Sequence, residues 1–227
     1  MIERITALPR RPASGPGCPA HEAREPVQAA RANADTDGRN PAARLDGFAR
    51  GLAQQSWFAA AGEALTDGEV ADAAAWLAGL GLATLDGAAV GIATVAGWRE
   101  AAAVAADPAW DRRWWDAEEA ARTALRAPAV AAAGGESALL DLLTGVTDAA
   151  GTIVHGAAAV AAARSGVADA ALLRVAAGAA AQACYQTALL LAAGGTLAGD
   201  HAFAAKYRLF AAGRWPLGIV AGRYYLF

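Results

Sequence analysis

One lysine, one methionine, two cysteines and three histidines among 227 residues each close off a class of function. Three histidines, one of them His21 beside a proline-rich stretch, cannot build a histidine-rich metal centre. Cys18 and Cys184 are far apart in sequence and in surroundings, so neither a metal cage nor a disulfide framework is expected. The compartment expected of such a chain is a reducing cytoplasm. No Gly-x-Gly-x-x-Gly follows a strand, and there is no P-loop, nucleophile elbow, His-Glu-x-x-His or paired Glu-x-x-His. No cofactor and no metal are therefore called. Asp148 with His155 comes nearest to a metal pair, and two ligands are too few.

Lysine is confined to Lys206, against eighteen arginines, a bias that reads as the mark of a GC-rich bacterial genome. With a net charge of −3 there is no basic footprint for nucleic acid. Arg4, Arg10 and Arg11 precede no apolar core, so no secretory leader is read. Residues 175–199 are uncharged and long enough to span a bilayer. Their Ala, Gly, Gln182, Gln186 and Thr187 content instead favours a buried helix of a soluble bundle, and a membrane is disfavoured as partner.

Alanine is abundant, and it is the best helix former. Residues 1–42 hold six of the nine prolines and no apolar period, and are expected to form a disordered arm. A single helical domain is expected from 43 to 227: an all-α bundle of six to eight helices with one β-hairpin at about 82–92. Leu45, Phe48 and Leu52 open a first helix. Thr66 and Glu69 form a capping box before a helix with Val70, Ala73, Trp76, Leu77 and Leu80 on one face. Asp86-Gly87 supplies the hairpin turn. A helix followed by a hairpin suggests a DNA-reading winged helix, but residues 66–97 contain no basic side chain.

Asp107-Pro108 should start the next helix and Pro128 close it, with Trp110 and Trp114 inward, Trp115 outward, and Glu118 and Arg122 paired on the wet side. Helices are then expected near 136–146 and 148–164, separate or continuous through Gly151, the longest at 168–193, and a last one capped by Asp200 and stopped by Gly213. Residues 219–227 read as an extended end.

Two clusters are candidates for function. Asp148, Thr152 and His155 share a helical face, and Arg174, Gly178, Gln182, Tyr185 and Gln186 form a stripe on the next long helix. Folded as a hairpin about Ser165-Gly166, the stripes would face one another. They would then either satisfy each other or line a small polar pocket. The second cluster gathers His201, Lys206, Arg208, Arg214 and Trp215 with several aromatics. Its cations suit a small anionic ligand or an acidic partner, or else an ion pair from Lys206 to Asp141 or Asp148.

Pro216-Leu217-Gly218-Ile219-Val220-Ala221-Gly222, following Ala-rich helices, resembles a phrase of the helical urease accessory proteins of the F type. The likeness spans seven residues and assigns no role to any of them. The function expected is a bacterial cytoplasmic accessory or interaction protein without catalysis of its own, with a protein partner or a homo-oligomer. The alternative is a cofactor-independent enzyme or small-molecule binder using the 148–186 hairpin and the 200–218 segment.

Overall fold

The computed structural model describes residues 40–227; almost all of the expected arm lies outside them. Asn40 accepts a hydrogen bond from Ala42 N and Pro41 takes the first turn, so helix α1 (Pro41–Gly51) begins inside the stretch assigned to the arm. Its buried Leu45 and Phe48 lead into a 3-10 turn (Leu52–Gln54). The capping box forms as read: Thr66 Oγ1 accepts from Glu69 N, and the Glu69 carboxylate accepts from Thr66 N at 2.8 Å. Helix α2 (Asp67–Gly79) follows with Ala73, Trp76 and Leu77 buried, while Val70 faces outward.

Asp86 and Gly87, at φ 52° and 81°, turn β1 (Thr84–Leu85) onto β2 (Ala88–Ala89). The expected hairpin stops there. Residues 91–94 leave it as β3 (Gly91–Thr94) and run parallel to the C-terminal strand β5 (Arg223–Leu226), which pairs antiparallel with β4 (Pro216–Val220). Ala221 and Gly222, at φ 47° and 74°, make the β4–β5 turn. The fold is thus mostly helical, with seven α-helices among the described residues, but it is not all-α with one hairpin. It carries a two-stranded and a mixed three-stranded sheet.

After α3 (Trp98–Ala105), Asp107 and Pro108 form a turn and not a helix start, with the Asp107 carboxylate accepting from Ala109 N at 2.8 Å. Trp110 bridges to Val220 and Asp111 N donates to Ile219 O, so the sheet edge holds this segment extended. Helix α4 therefore begins later (Arg113–Ala133) and runs through Pro128 without ending there. The ring removes one donor, but Pro128 and Ala124, whose carbonyl loses that donor, are both exposed, so the carbonyl is open to solvent and not buried unpaired.

Helix α5 (Glu136–Arg164) is continuous through Gly151 and is the longest; α6 (Ala170–Ala192), capped by Asp169, is second. Ala150, Ala158 and Ala162 of α5 and Ala176, Ala180 and Ala183 of α6 are buried, and such small side chains let two backbones approach closely. Helix α7 (Ala202–Ala211) is capped by His201, one residue beyond the expected Asp200, and Gly213 at φ 95° ends it. A Cβ on Gly213 would lie 2.7 Å from Ala60 N, so glycine is needed there twice over.

Two apolar clusters result. The larger joins α1, α5 and α6 to an aromatic nest of Phe58, Trp98, Phe210, Trp215 and Phe227. The second packs Trp76, Leu82 and Leu209 on Ile219, Tyr224 and Leu226 of the sheet.

Candidate functional site

The densest buried chemistry lies where α4, α6 and α7 meet beside the second cluster. Glu118 of α4 points inward, not outward to Arg122 as its spacing suggested; Arg122 instead pairs with Glu119. Lys206 of α7 places its ammonium 2.7 and 2.8 Å from the two Glu118 oxygens, with side chains 5% and 2% exposed. Trp76 Nε1 donates to Oε1 at 3.1 Å and Gln186 Nε2 to Oε2 at 2.9 Å, and Gln186 Oε1 accepts from Lys206 at 3.2 Å. Each carboxylate oxygen thus accepts two bonds, which is what a charge removed from water requires.

An aromatic wall closes the centre. Tyr224 stacks on Trp76 with ring centroids 4.5 Å apart, and the Lys206 ammonium sits 5.6 Å from the centre of the Trp114 ring. Burial, and then the Glu118 charge, hold the Tyr224 hydroxyl well above the ordinary phenol range. Gly218 abuts the two indoles, since a Cβ there would lie 2.8 Å from Trp110 Nε1 and 3.0 Å from Trp114 Nε1.

The other cations of the C-terminal cluster are likewise engaged by the fold. Arg214 is buried and donates to both Glu69 oxygens at 2.8 and 3.0 Å, to Glu63 O at 2.8 Å, to Ala64 O at 2.7 Å and to Ala60 O. It fastens the loop before α2 to the end of α7. Burial raises the Glu69 carboxyl, but the Arg214 and Thr66 hydrogen bonds outweigh it and leave the group below its ordinary value. Arg208 bonds Asp72 at 2.8 Å and two carbonyls of the 197–199 turn. His201 Nδ1 accepts from Phe203 N at 3.1 Å as the cap of α7, and Trp215 is buried in the aromatic nest. Lys206 therefore meets Glu118 and neither Asp141 nor Asp148. The donors read as an anion site face inward to carboxylates and carbonyls.

The two stripes of the 148–186 hairpin do not face one another. Asp148, Thr152 and His155 lie on the exposed side of α5, whose buried edge is Leu139, Leu143, Val146, Ala150, Val154 and Ala158. Arg174 and Gly178 are exposed too, Gln182 is half-buried, and Tyr185 is half-buried beside Arg122. Gln186 alone enters the ionic centre. Asp148, Thr152 and His155 lie about 140–160° around the helix from buried Ala150, so the packing of that alanine edge turns the polar stripe outward. Sequence reading missed Glu118, Trp76 and Tyr224. One signal was available: Glu118 lies four residues beyond Trp114 on that helix's apolar stripe, the position of a buried residue.

The outward face of α5 is unusual in a different way. Leu140 and Val160 are 65% and 53% exposed. Gly145, Gly151 and Gly156 stand in mid-helix, and a Cβ at any of them would have nothing within 4 Å. Each costs the helix about 0.5–1 kcal/mol relative to alanine, on the order of 2–3 kcal/mol together, and none of the described residues packs against them. Two shallow clefts flank this face. One, of about 230 Å³, lies between α1 and Asp141–Val146; the other, of about 280 Å³, lies between residues 55–59 and residues 156–164. By length and composition α5 and α6 are also both apolar enough to cross a membrane, and α5 is the less buried of the two.

No family model, no characterised protein and no solved structure matches this chain. Any assignment of function therefore rests on the side chains themselves.

Proposed function

We propose that this is an interaction protein without catalysis of its own, which docks a partner on the outward face of α5. The carrying observation is that face: Gly145 and Gly156 lie about 20° apart seen down the helix, with open space before them among the described residues, and the exposed Leu140 and Val160 stand on opposite flanks. Glycine in a helix is unfavourable unless something approaches the backbone closely, and none of the described residues does so at Gly145 or Gly156. The inward use of Lys206, Arg208 and Arg214 supports the same reading, because it removes their donors from ligand recognition.

A protein surface suits this face better than lipid. Asp148 and His155 stand in its middle, and an aspartate at the centre of a bilayer costs about 2.5–3.5 kcal/mol on insertion scales. The test is site-specific photo-crosslinking in the native cell. A photoreactive residue at Leu140 or Val160 should yield discrete protein adducts, while one at exposed Ala120 on α4 should not. Adducts absent from both α5 positions, or equally abundant from Ala120, would overturn the assignment.

A further inference from the structure

We infer that the occupant of this face is a second copy of the chain, its α5 laid antiparallel on the first about a two-fold axis beside Gly151. The inference rests on the docking role proposed above and names the partner. The face is self-complementary in a way a foreign partner would not require. Asp148 and His155 are both exposed, seven residues apart on one side, and the midpoint between them is the Gly151–Thr152 step. Gly145 and Gly156 lie on the other rim, and the midpoint between them is the Ala150–Gly151 step. Both sets therefore call for the same axis to within one residue, about 1.5 Å along a helix.

The operation is specific. A two-fold axis perpendicular to the plane of two antiparallel helices keeps each rim on its own side. Asp148 of one copy then meets His155 of the other, and the same pairing recurs symmetrically across the axis, as an isologous interface demands. The His155 ring donates to the Asp148 carboxylate whether or not the imidazole is charged. On the opposite rim Gly145 meets Gly156 of the other copy, and the missing side chains admit the close approach that open glycines permit. The clefts beside α1 and residues 55–59 lie along the flanks, where the second molecule widens the contact beyond one helix.

The test is sedimentation equilibrium on the full chain and four variants. The native protein should dimerise. Gly156→Leu, whose Cβ meets none of the described residues within 4 Å, should keep native helicity and weaken the dimer at least about tenfold. Asp148→His and His155→Asp each set like groups face to face and should weaken it similarly, whereas the double variant Asp148→His/His155→Asp restores the pairing and should restore the dimer. A chain that stays monomeric at every concentration overturns the inference. A dimer indifferent to Gly156→Leu and to the exchange also overturns it. Monomeric protein that still gives Val160 adducts with another protein leaves the docking role standing and removes only the second copy. Monomeric protein without adducts removes both.

Discussion

Replacing Lys206 by methionine tests the ionic centre directly. The substitution nearly preserves volume but leaves the Glu118 charge buried, with only Trp76 and Gln186 donating to it. Removing one partner of a buried pair costs about 3–5 kcal/mol, because the remaining charge keeps its desolvation penalty. Loss of the ammonium from the Trp114 face adds about 0.5–2 kcal/mol. For a domain of this size the pair term alone corresponds to a fall in Tm of about 6–20 °C. The assay is urea denaturation followed by tryptophan fluorescence, with heat denaturation in parallel. The decisive comparison is Lys206→Met/Glu118→Gln. There the new amide still accepts from Trp76 and, with the Gln186 amide turned over, donates to Gln186 Oε1, so most of the loss should be recovered. Single and double variants equally destabilised, or Lys206→Met within about 1 kcal/mol of the native protein, would refute the reasoning.

Trp76→Ala should cost about 3–5 kcal/mol, because the indole is buried and bonded to Glu118, whereas Trp115→Ala, 43% exposed, should cost under about 1 kcal/mol; equal midpoints in urea would defeat this. Gly218→Ala should destabilise by about 2 kcal/mol or more, since φ is +115° and the new Cβ would press on two indoles; a native Tm would contradict it. Burial lowers the His201 pKa, so the unfolded state binds the proton more readily. The contribution of His201 is therefore fully present above about pH 6.5 and is lost as pH falls toward the folded pKa. His201→Asn should keep the cap of α7 and abolish that pH dependence of Tm, and an unchanged pH profile would sink the assignment.

Features encoded within a few residues were readable from sequence. The Thr66–Glu69 box, the Asp86-Gly87 turn and the Gly213 stop each depend on neighbours and each forms. The misreadings share a cause in distant partners. Asp107-Pro108 carries a proper helix-start signal, yet Trp110 and Asp111 are claimed by a strand more than a hundred residues away. The second hairpin turns at Ala221-Gly222, which lacks the usual asparagine or aspartate, so residues 219–227 looked merely extended. The candidate site was half legible. Gln186 and Lys206 stood out as polar groups in apolar helices, but their common partner Glu118 lies 68 and 88 residues away and carries a decoy, Arg122, at ideal helical spacing.

The parallel pairing of β3 with β5 has a consequence for how the molecule is made. Gly91–Thr94 is synthesised before five of the seven helices and then waits for Arg223–Leu226. Until those residues leave the ribosome, Trp76 has no Tyr224 to stack on and Leu82 has no sheet to cover it. The Ala-rich pair α5 and α6, whose contacts are local, has no such delay. A nascent chain stalled before residue 223 therefore holds a helical hairpin already folded beside an open, tryptophan-lined surface. That interval is when the chain is most exposed to aggregation and to chaperone capture.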